Sequence, residues 1–215
     1  MTTLAVISGG LREPSSTRLL AGRIDTAVHK ALAAIDMSAT STMIELRPLG
    51  RAIMDAMLTG VVAPELEEAF DAVAGADGLI AVTPAFNASF SGLFKSFFDV
   101  LPEQTLWDMP VLIAATGGTE RHSLVLDHAL RPMFSYLHAI VAPTGVYAAT
   151  DDFGAAQRGS GALSERIDTA ARDFARLLSS CGARTRRDAF ADELTEMQRL
   201  LGAASQRKDT TTIED

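Results

Sequence analysis

The stretch Leu4–Leu20, LAVISGGLREPSSTRLL, limits what this chain can fold into more than any other. Its apolar run, Leu4-Ala5-Val6-Ile7, fits a short strand buried on both faces, as in parallel sheets. The run stops at Ser8-Gly9-Gly10, where glycine permits a sharp turn. Beyond Arg12 and Pro14 stand Ser15, Ser16 and Thr17, and then Leu19, Leu20, Ile24 and Val28 at helical spacing. A buried strand thus ends in a Gly/Ser/Thr loop that opens a helix. The unpaired backbone N–H groups of such a helix start favour a phosphate. Hydroxyls add neutral donors, and Arg12 and Arg18 add charge-assisted ones. An ordinary turn capped by Ser16 or Thr17 would share this pattern. The loop is neither G-x-x-x-x-G-K-[ST] nor G-x-G-x-x-G, which disfavours a P-loop NTPase and a dinucleotide-type turn. It holds no cysteine, so thiolate phosphatase chemistry is excluded there.

The same grammar recurs down the chain. Helix one is expected over Ser16 to about Ala34, with His29 on its solvated side, and strand two over Ser41–Leu46. Arg47–Leu58 reads as a loop and short helix, and Pro64 as the first turn of another helix, followed by Glu65 and Glu67. Gly78–Thr83 is a buried strand, and Pro84–Gly92 the loop after it, rich in small and polar residues. A helix over Leu93–Val100 carries Leu93, Phe94, Phe97 and Phe98, which suit either the core or a contact between copies. Strand four, Pro110–Ala115, runs into Thr116-Gly117-Gly118-Thr119. A helix over Leu124–Leu137 follows, then a fifth strand from Ala139 to Ala142, continued through Val146–Ala148. Asp151–Gly161 reads as a Gly-rich loop, and Leu163–Leu178 as the last core helix.

Five strand–helix alternations predict an α/β fold: a flavodoxin-like three-layer α/β/α sandwich around a five-stranded parallel sheet in the order 2-1-3-4-5. That order gathers the loops after strands one, three and four around one crevice at the carboxyl ends of the strands. Residues 1–182 are expected to form this domain. Residues 183–215 read as an extension, a short amphipathic helix (Phe190, Leu194, Met197, Leu200, Leu201) followed by a polar tail.

The net charge of −8 disfavours nucleic acid and anionic membranes as partners, so a bound phosphate must be held by local donors. One cysteine, Cys181, allows neither an internal disulfide nor a cysteine-based zinc site. No apolar stretch is long enough for a signal peptide or a membrane span, and a cytoplasmic location is expected.

Three motifs, SGGLREPSST, TPAFNASFSGLFKSFFD and ATGG, resemble the NADPH-dependent FMN reductase family over roughly residues 3–180. The middle one is similar to the family pattern T-P-x-Y-N-x-S-x-P-G-x-L-K-x-x-x-D, with Phe86 in place of Tyr and Ser91 in place of Pro. The resemblance implies an NAD(P)H:FMN oxidoreductase. Ser8, Arg12, Ser15, Ser16 and Thr17 would surround the FMN phosphate. Pro84, Phe86, Asn87, Ala88 and Ser89 would flank the isoalloxazine ring, and Thr116, Gly117 and Gly118 its pyrimidine end. NADPH or NADH would supply the hydride, with no catalytic side chain and no metal required. Arg121 and His122 read as a solvated loop, the alternative being that they face the nicotinamide nucleotide. The closest branch in character is an actinobacterial one, partnered with luciferase-like flavin monooxygenases. It implies supply of reduced flavin to such an enzyme, and a homodimer or homotetramer. Alternatives are an FMN-bound reductase of quinones, azo compounds or metal ions, and a flavodoxin-like electron carrier without pyridine-nucleotide activity.

Overall fold

The computed structural model describes residues 1–154 and 160–184. Its elements are β1 (Thr2–Ser8), α1 (Ser16–Ala33), β2 (Ala39–Glu45), α2 (Leu46–Thr59), α3 (Pro64–Ala74), β3 (Gly78–Phe86), β4 (Ser89–Phe90), α4 (Gly92–Val100), β5 (Pro110–Gly117), α5 (Arg131–Tyr136), β6 (Ile140–Val141), β7 (Val146–Ala149) and α6 (Ser160–Cys181). Residues 1–184 form one compact unit. The expected amphipathic helix and tail lie outside the described residues.

β1, β3 and β5 are apolar runs buried almost end to end, so helices must cover both faces. The sheet has seven strands. It runs β2-β1-β3-β5-β6, with β7 pairing β5 further along and β4 folded back on β3. β6 and β7 lie along the same edge of β5, pairing Pro110 with Ile140 and Ala114 with Val146. Pro143, which has no N–H to give, stands between them. Counted as one interrupted strand, they complete the order 2-1-3-4-5 of a flavodoxin-like α/β sandwich.

Two cores result. On one face Leu4, Val6, Ile80, Val82 and Leu112 meet α1 and α6 through Leu20, Ile24, Val28, Ile167 and Phe174. On the other, Ala5, Ile7, Leu79 and Ile113 meet α2 to α5. Phe94, Phe97 and Phe98 of α4 are at most 4% exposed. Phe94 and Phe98 stack edge to face with Phe134, and Phe97 tilts against Phe70. Core burial therefore takes up the three phenylalanines of the helix face.

Local chemistry shifts several boundaries. α1 is capped by Ser15, whose Oγ accepts from the Arg18 amide at 3.1 Å, rather than by Ser16 or Thr17. α2 is a full fourteen-residue helix starting at Leu46. Pro48 is tolerated because the N–H it lacks has no partner in a first turn. The single helix expected over Leu124–Leu137 is instead a π turn, Leu126–Leu130, running into α5. Pro132 cannot donate back to the preceding turn. The Arg131 guanidinium donates to the Ala142 and Pro143 carbonyls at 3.0 and 3.1 Å.

His29 is half-exposed, and its ring is also bonded. The Ser41 hydroxyl donates to Asp25 at 2.6 Å, so His29 Nε2 donates to Ser41 Oγ at 2.8 Å, clipping the edge strand β2 to α1. His138 stacks on Trp107, with centroids 5.0 Å apart, and His128 is exposed.

Candidate functional site

The carboxyl ends of β1, β3 and β5 open into one cleft of about 700 Å³, a volume usual for small-ligand sites. From the loop after β1 come Leu11, Arg12, Pro14, Ser15, Ser16 and Thr17, and Leu19 follows from α1. β3 supplies Pro84, Ala85 and Phe86. β5 and its loop supply Thr116, Gly117 and Gly118, and the segment after β7 supplies Thr150 and Phe153. Among the described residues no carboxylate lines the cleft, in a chain of net charge −8.

At one end the first turn of α1 presents hydroxyls and unpaired amides. Thr17 is buried, and its hydroxyl bonds that of Thr116 at 2.8 Å, which ties the first loop to the third. A Cβ on Gly10 would collide with the Ser15 hydroxyl, so only glycine lets the loop close on its own cap. Arg12 is exposed and has no hydrogen-bond or ion-pair partner among the described residues. Arg18 is committed in part, its Nε donating to Glu45 at 3.2 Å.

At the other end, Phe86 lies 44% exposed at the tip of β3. β3 runs three residues past its expected end and returns as β4, pairing Ala85 with Phe90 and Phe86 with Ser89. Asn87 and Ala88 turn the hairpin with φ of 48° and 63°, the left-handed pair that a two-residue hairpin loop demands. The Ser91 amide donates to the Pro84 carbonyl at 3.1 Å and closes the hairpin base.

Across the cleft, a Cβ on Gly117 would strike the Tyr147 hydroxyl, which donates to the Thr119 carbonyl at 2.7 Å. Burial, helped by Asp152, pushes the Tyr147 phenol above its ordinary pKa, so it remains a donor.

Nine of the thirteen expected site residues line this cleft: Arg12, Ser15, Ser16, Thr17, Pro84, Phe86, Thr116, Gly117 and Gly118. The side chains of Asn87, Ala88 and Ser89 line a separate cavity of about 250 Å³ beyond the hairpin, with Arg121, His122 and His128. Ser8 is 2% exposed at the end of β1 and lies behind the cleft wall. Leu11, Pro14, Leu19, Ala85, Thr150 and Phe153 line the cleft as well, outside the expected set. The 2-1-3-4-5 order was signal enough for the last two, because it sets the loop after the fifth strand beside the same crevice.

The cleft therefore offers a phosphate end, with hydroxyls, helix-start amides and a free guanidinium, and a flat apolar end under glycine amides. FMN has the matching shape and polarity. Among the described residues no group of His, Cys, Asp and Glu is placed to hold a metal, and no helix is long and apolar enough to cross a membrane.

Comparison with known proteins gives the same direction. A family model described as NADPH-dependent FMN reductase matches residues 2–154. "FMN reductase (NADPH)" of Pseudomonas aeruginosa is 39% identical over 81% of this chain and 91% of its own length. "NADH-dependent FMN reductase SfnF" of Pseudomonas fluorescens is 39% identical over 82% and 92%. Among solved structures, an oxidoreductase from Corynebacterium diphtheriae superposes with a TM-score of 0.78 at 49% identity, covering 84% of this chain and 98% of that one. The apo form of an NADH:FMN oxidoreductase superposes at 0.67 with 31% identity, covering 80% and 89%.

Proposed function

Since the chain belongs to the NADPH-dependent FMN reductase family and is an oxidoreductase acting on FMN with NADPH or NADH, we propose that the cleft at β1, β3 and β5 is where it holds the flavin, and that it supplies reduced FMN to a flavin-dependent monooxygenase. The observation that carries this reading is an unpaired Arg12 beside a helix start in a cleft without carboxylates.

Bound FMN supplies the redox chemistry, taking a hydride at its ring from the nicotinamide. The work of the chain is placement. Arg12, Ser15 and Ser16, with the first amides of α1, hold the phosphate. The Thr17 hydroxyl oxygen lies 2.8 Å from that of Thr116, so it also ties the loop to β5. Pro84 and Phe86 give the ring a flat wall, and the Gly117 and Gly118 amides face its polar edge. Glycine is needed at 117 because Tyr147 occupies the space of any side chain. Ser8 belongs to the wall behind the site. Asn87, Ala88 and Ser89 set the hairpin that aims Phe86.

No acid or base in the cleft is asked to act, and water at the open cleft supplies the proton that balances hydride uptake. The same openness lets reduced flavin leave for a second enzyme. A homo-oligomer is supported by the exposed apolar strip Met54, Met57, Leu58, Val61 and Val62 at the end of α2.

Anaerobic mixing of the protein and FMN with NADPH or NADH tests the reading. Bleaching of the flavin band far above the protein-free rate is expected, with the FMN dissociation constant rising about tenfold in Arg12→Ala. Flavin binding without bleaching by either nucleotide overturns the reductase in favour of an electron carrier. Bleaching with unchanged FMN affinity in Arg12→Ala overturns the phosphate placement.

A further inference from the structure

The cavity of about 250 Å³ beyond the β3–β4 hairpin shares Ala85 with the flavin cleft. The two segments that wall the ring end of the cleft continue straight into it. Phe86 gives way to Asn87, Ala88 and Ser89, and Gly117-Gly118 leads to Arg121 and His122. A stretch of three residues reaches at most about 10–11 Å, so the Arg121 backbone stands within that distance of Gly118.

The polar groups here are mostly donors. Arg121 brings a full positive charge, His122 and His128 each at least one ring N–H, Asn87 its amide and Ser89 its hydroxyl. Arg121, His122 and His128 are exposed, and none has a side-chain hydrogen bond or ion pair among the described residues. No carboxylate among those residues lines the cavity. Of the two acidic neighbours in sequence, Asp127 accepts from Arg131 Nε at 3.1 Å, and Glu120 is exposed outside the lining. In a chain of net charge −8, this is a place built for an anion.

We propose that the cavity takes the 2′-phosphate of NADPH, and that Arg121, with His122 and His128, makes the enzyme prefer NADPH to NADH. The inference rests on the flavin lying in the cleft as placed above, because the nicotinamide must then approach the ring end, beside Ala85. Size and charge together single out this phosphate. Sites for whole small ligands run to about 300–1,000 Å³, so this smaller cavity receives one end of a ligand. The diphosphate of a dinucleotide is its middle, with a ribose on either side. The 2′-phosphate is a charged end, and a phosphate monoester carries about −1.5 to −2 at neutral pH. A guanidinium can meet it with two parallel N–H bonds. NADH has only a ribose hydroxyl at that position. The hydride transfer itself is the same for both nucleotides, so the cavity acts on affinity for the reductant rather than on the chemical step.

Steady-state reduction of FMN by each nucleotide tests this, alongside calorimetric binding of 2′,5′-ADP and 5′-AMP to the full chain with and without FMN. The KM for NADPH is expected to lie at least about tenfold below that for NADH, and 2′,5′-ADP to bind about tenfold tighter than 5′-AMP. Arg121→Ala is expected to raise the KM for NADPH about tenfold at unchanged kcat, to move the KM for NADH within about twofold, and to abolish the preference for 2′,5′-ADP. Arg121→Lys, which keeps the charge but not the fork, is expected to retain part of that preference. Equal KM values for the two nucleotides overturn the proposal. So does a rise in both KM values in Arg121→Ala, which assigns the cavity to a part that both nucleotides share. Equal binding of 2′,5′-ADP and 5′-AMP overturns it too, even where inorganic phosphate binds in an Arg121-dependent way. Failure of FMN to bind is a different result. It overturns the flavin cleft, and the two adenylates binding to the flavin-free chain still decide the cavity.

Discussion

The Thr17–Thr116 hydroxyl pair joins the loops that hold the two ends of the cleft, and both residues are buried. Valine at either position leaves the other hydroxyl buried without a partner, at a cost of about 1–3 kcal/mol. Valine at both removes the pair and keeps the shape. The double variant is therefore expected to be less destabilised than the sum of the single ones, in a denaturant-unfolding cycle. Additive losses would show that the hydroxyls do not bond one another. The chemistry of this loop was legible in the sequence, but its division of labour was not. Ser, Ser and Thr in succession all read as phosphate donors. Only the fold shows that Ser15 caps α1 and Thr17 faces Thr116, ninety-nine positions away. Ser8 ends β1, 2% exposed and outside the cleft lining; at a strand–loop boundary a one-residue difference reverses the way a side chain faces.

Among the elements, the β3–β4 hairpin shows where local sequence and local backbone disagree. Its two turn residues need positive φ, and Ala88 has a Cβ that resists it. Ala88→Gly is expected to stabilise the protein by about 1 kcal/mol. Because the turn aims Phe86, the same variant should leave FMN affinity within about twofold, a difference well below 1.4 kcal/mol. A lower melting temperature would mean the Ala88 side chain is worth more to its cavity than the strain costs. The hairpin was hidden because Asn-Ala is a weak turn signal and β4 has only two residues.

Asp77, just before β3, is a second element-scale joint. It accepts from the Thr3 amide at 2.8 Å, from the Thr3 hydroxyl at 2.9 Å and from the Arg184 amide at 3.3 Å, holding β1 to the chain beyond α6. Burial works to raise its pKa, but these donors and the Arg184 charge outweigh it and hold the carboxyl below its ordinary range. A depressed folded pKa contributes stability above the unfolded value, near 3.8, and that contribution is lost as pH falls through the folded one. Asp77→Asn should therefore flatten the acid limb of the stability curve below about pH 4 and do little to its slope at neutral pH. An unaltered acid limb would remove Asp77 as its source.

For the whole molecule, the alternation of apolar runs with helical spacing was enough to specify the sheet order, because crossover connections leave few arrangements for five parallel strands. It could not show that the fifth strand breaks at Pro143 or that α4 spends its phenylalanines inside the core. Both depend on contacts between distant segments. The charge distribution also belongs to this scale. The chain carries −8 overall, yet among the described residues the cleft proposed for a flavin phosphate is lined by no carboxylate and by the unpaired guanidinium of Arg12. Two opposed effects follow for a phosphate-bearing ligand. The field of the whole molecule repels it at long range, and the donors at Arg12 and the start of α1 attract it at contact. Salt screens the first far more than the second, since the Debye length is about 8–10 Å at physiological ionic strength and a hydrogen bond is about 3 Å. At a hundredfold excess over its dissociation constant, FMN should stabilise the protein by about 2.7 kcal/mol and raise the melting temperature by roughly 5–10 °C. That increment should hold or grow as salt rises from about 20 to 150 mM, and the riboflavin increment, free of the phosphate, should not change. A steep loss of the FMN increment with salt would mean that the phosphate is captured by a diffuse basic surface rather than by contacts in this cleft. The position of Arg12 and the lack of a carboxylate among the described residues that line the cleft argue for the contacts.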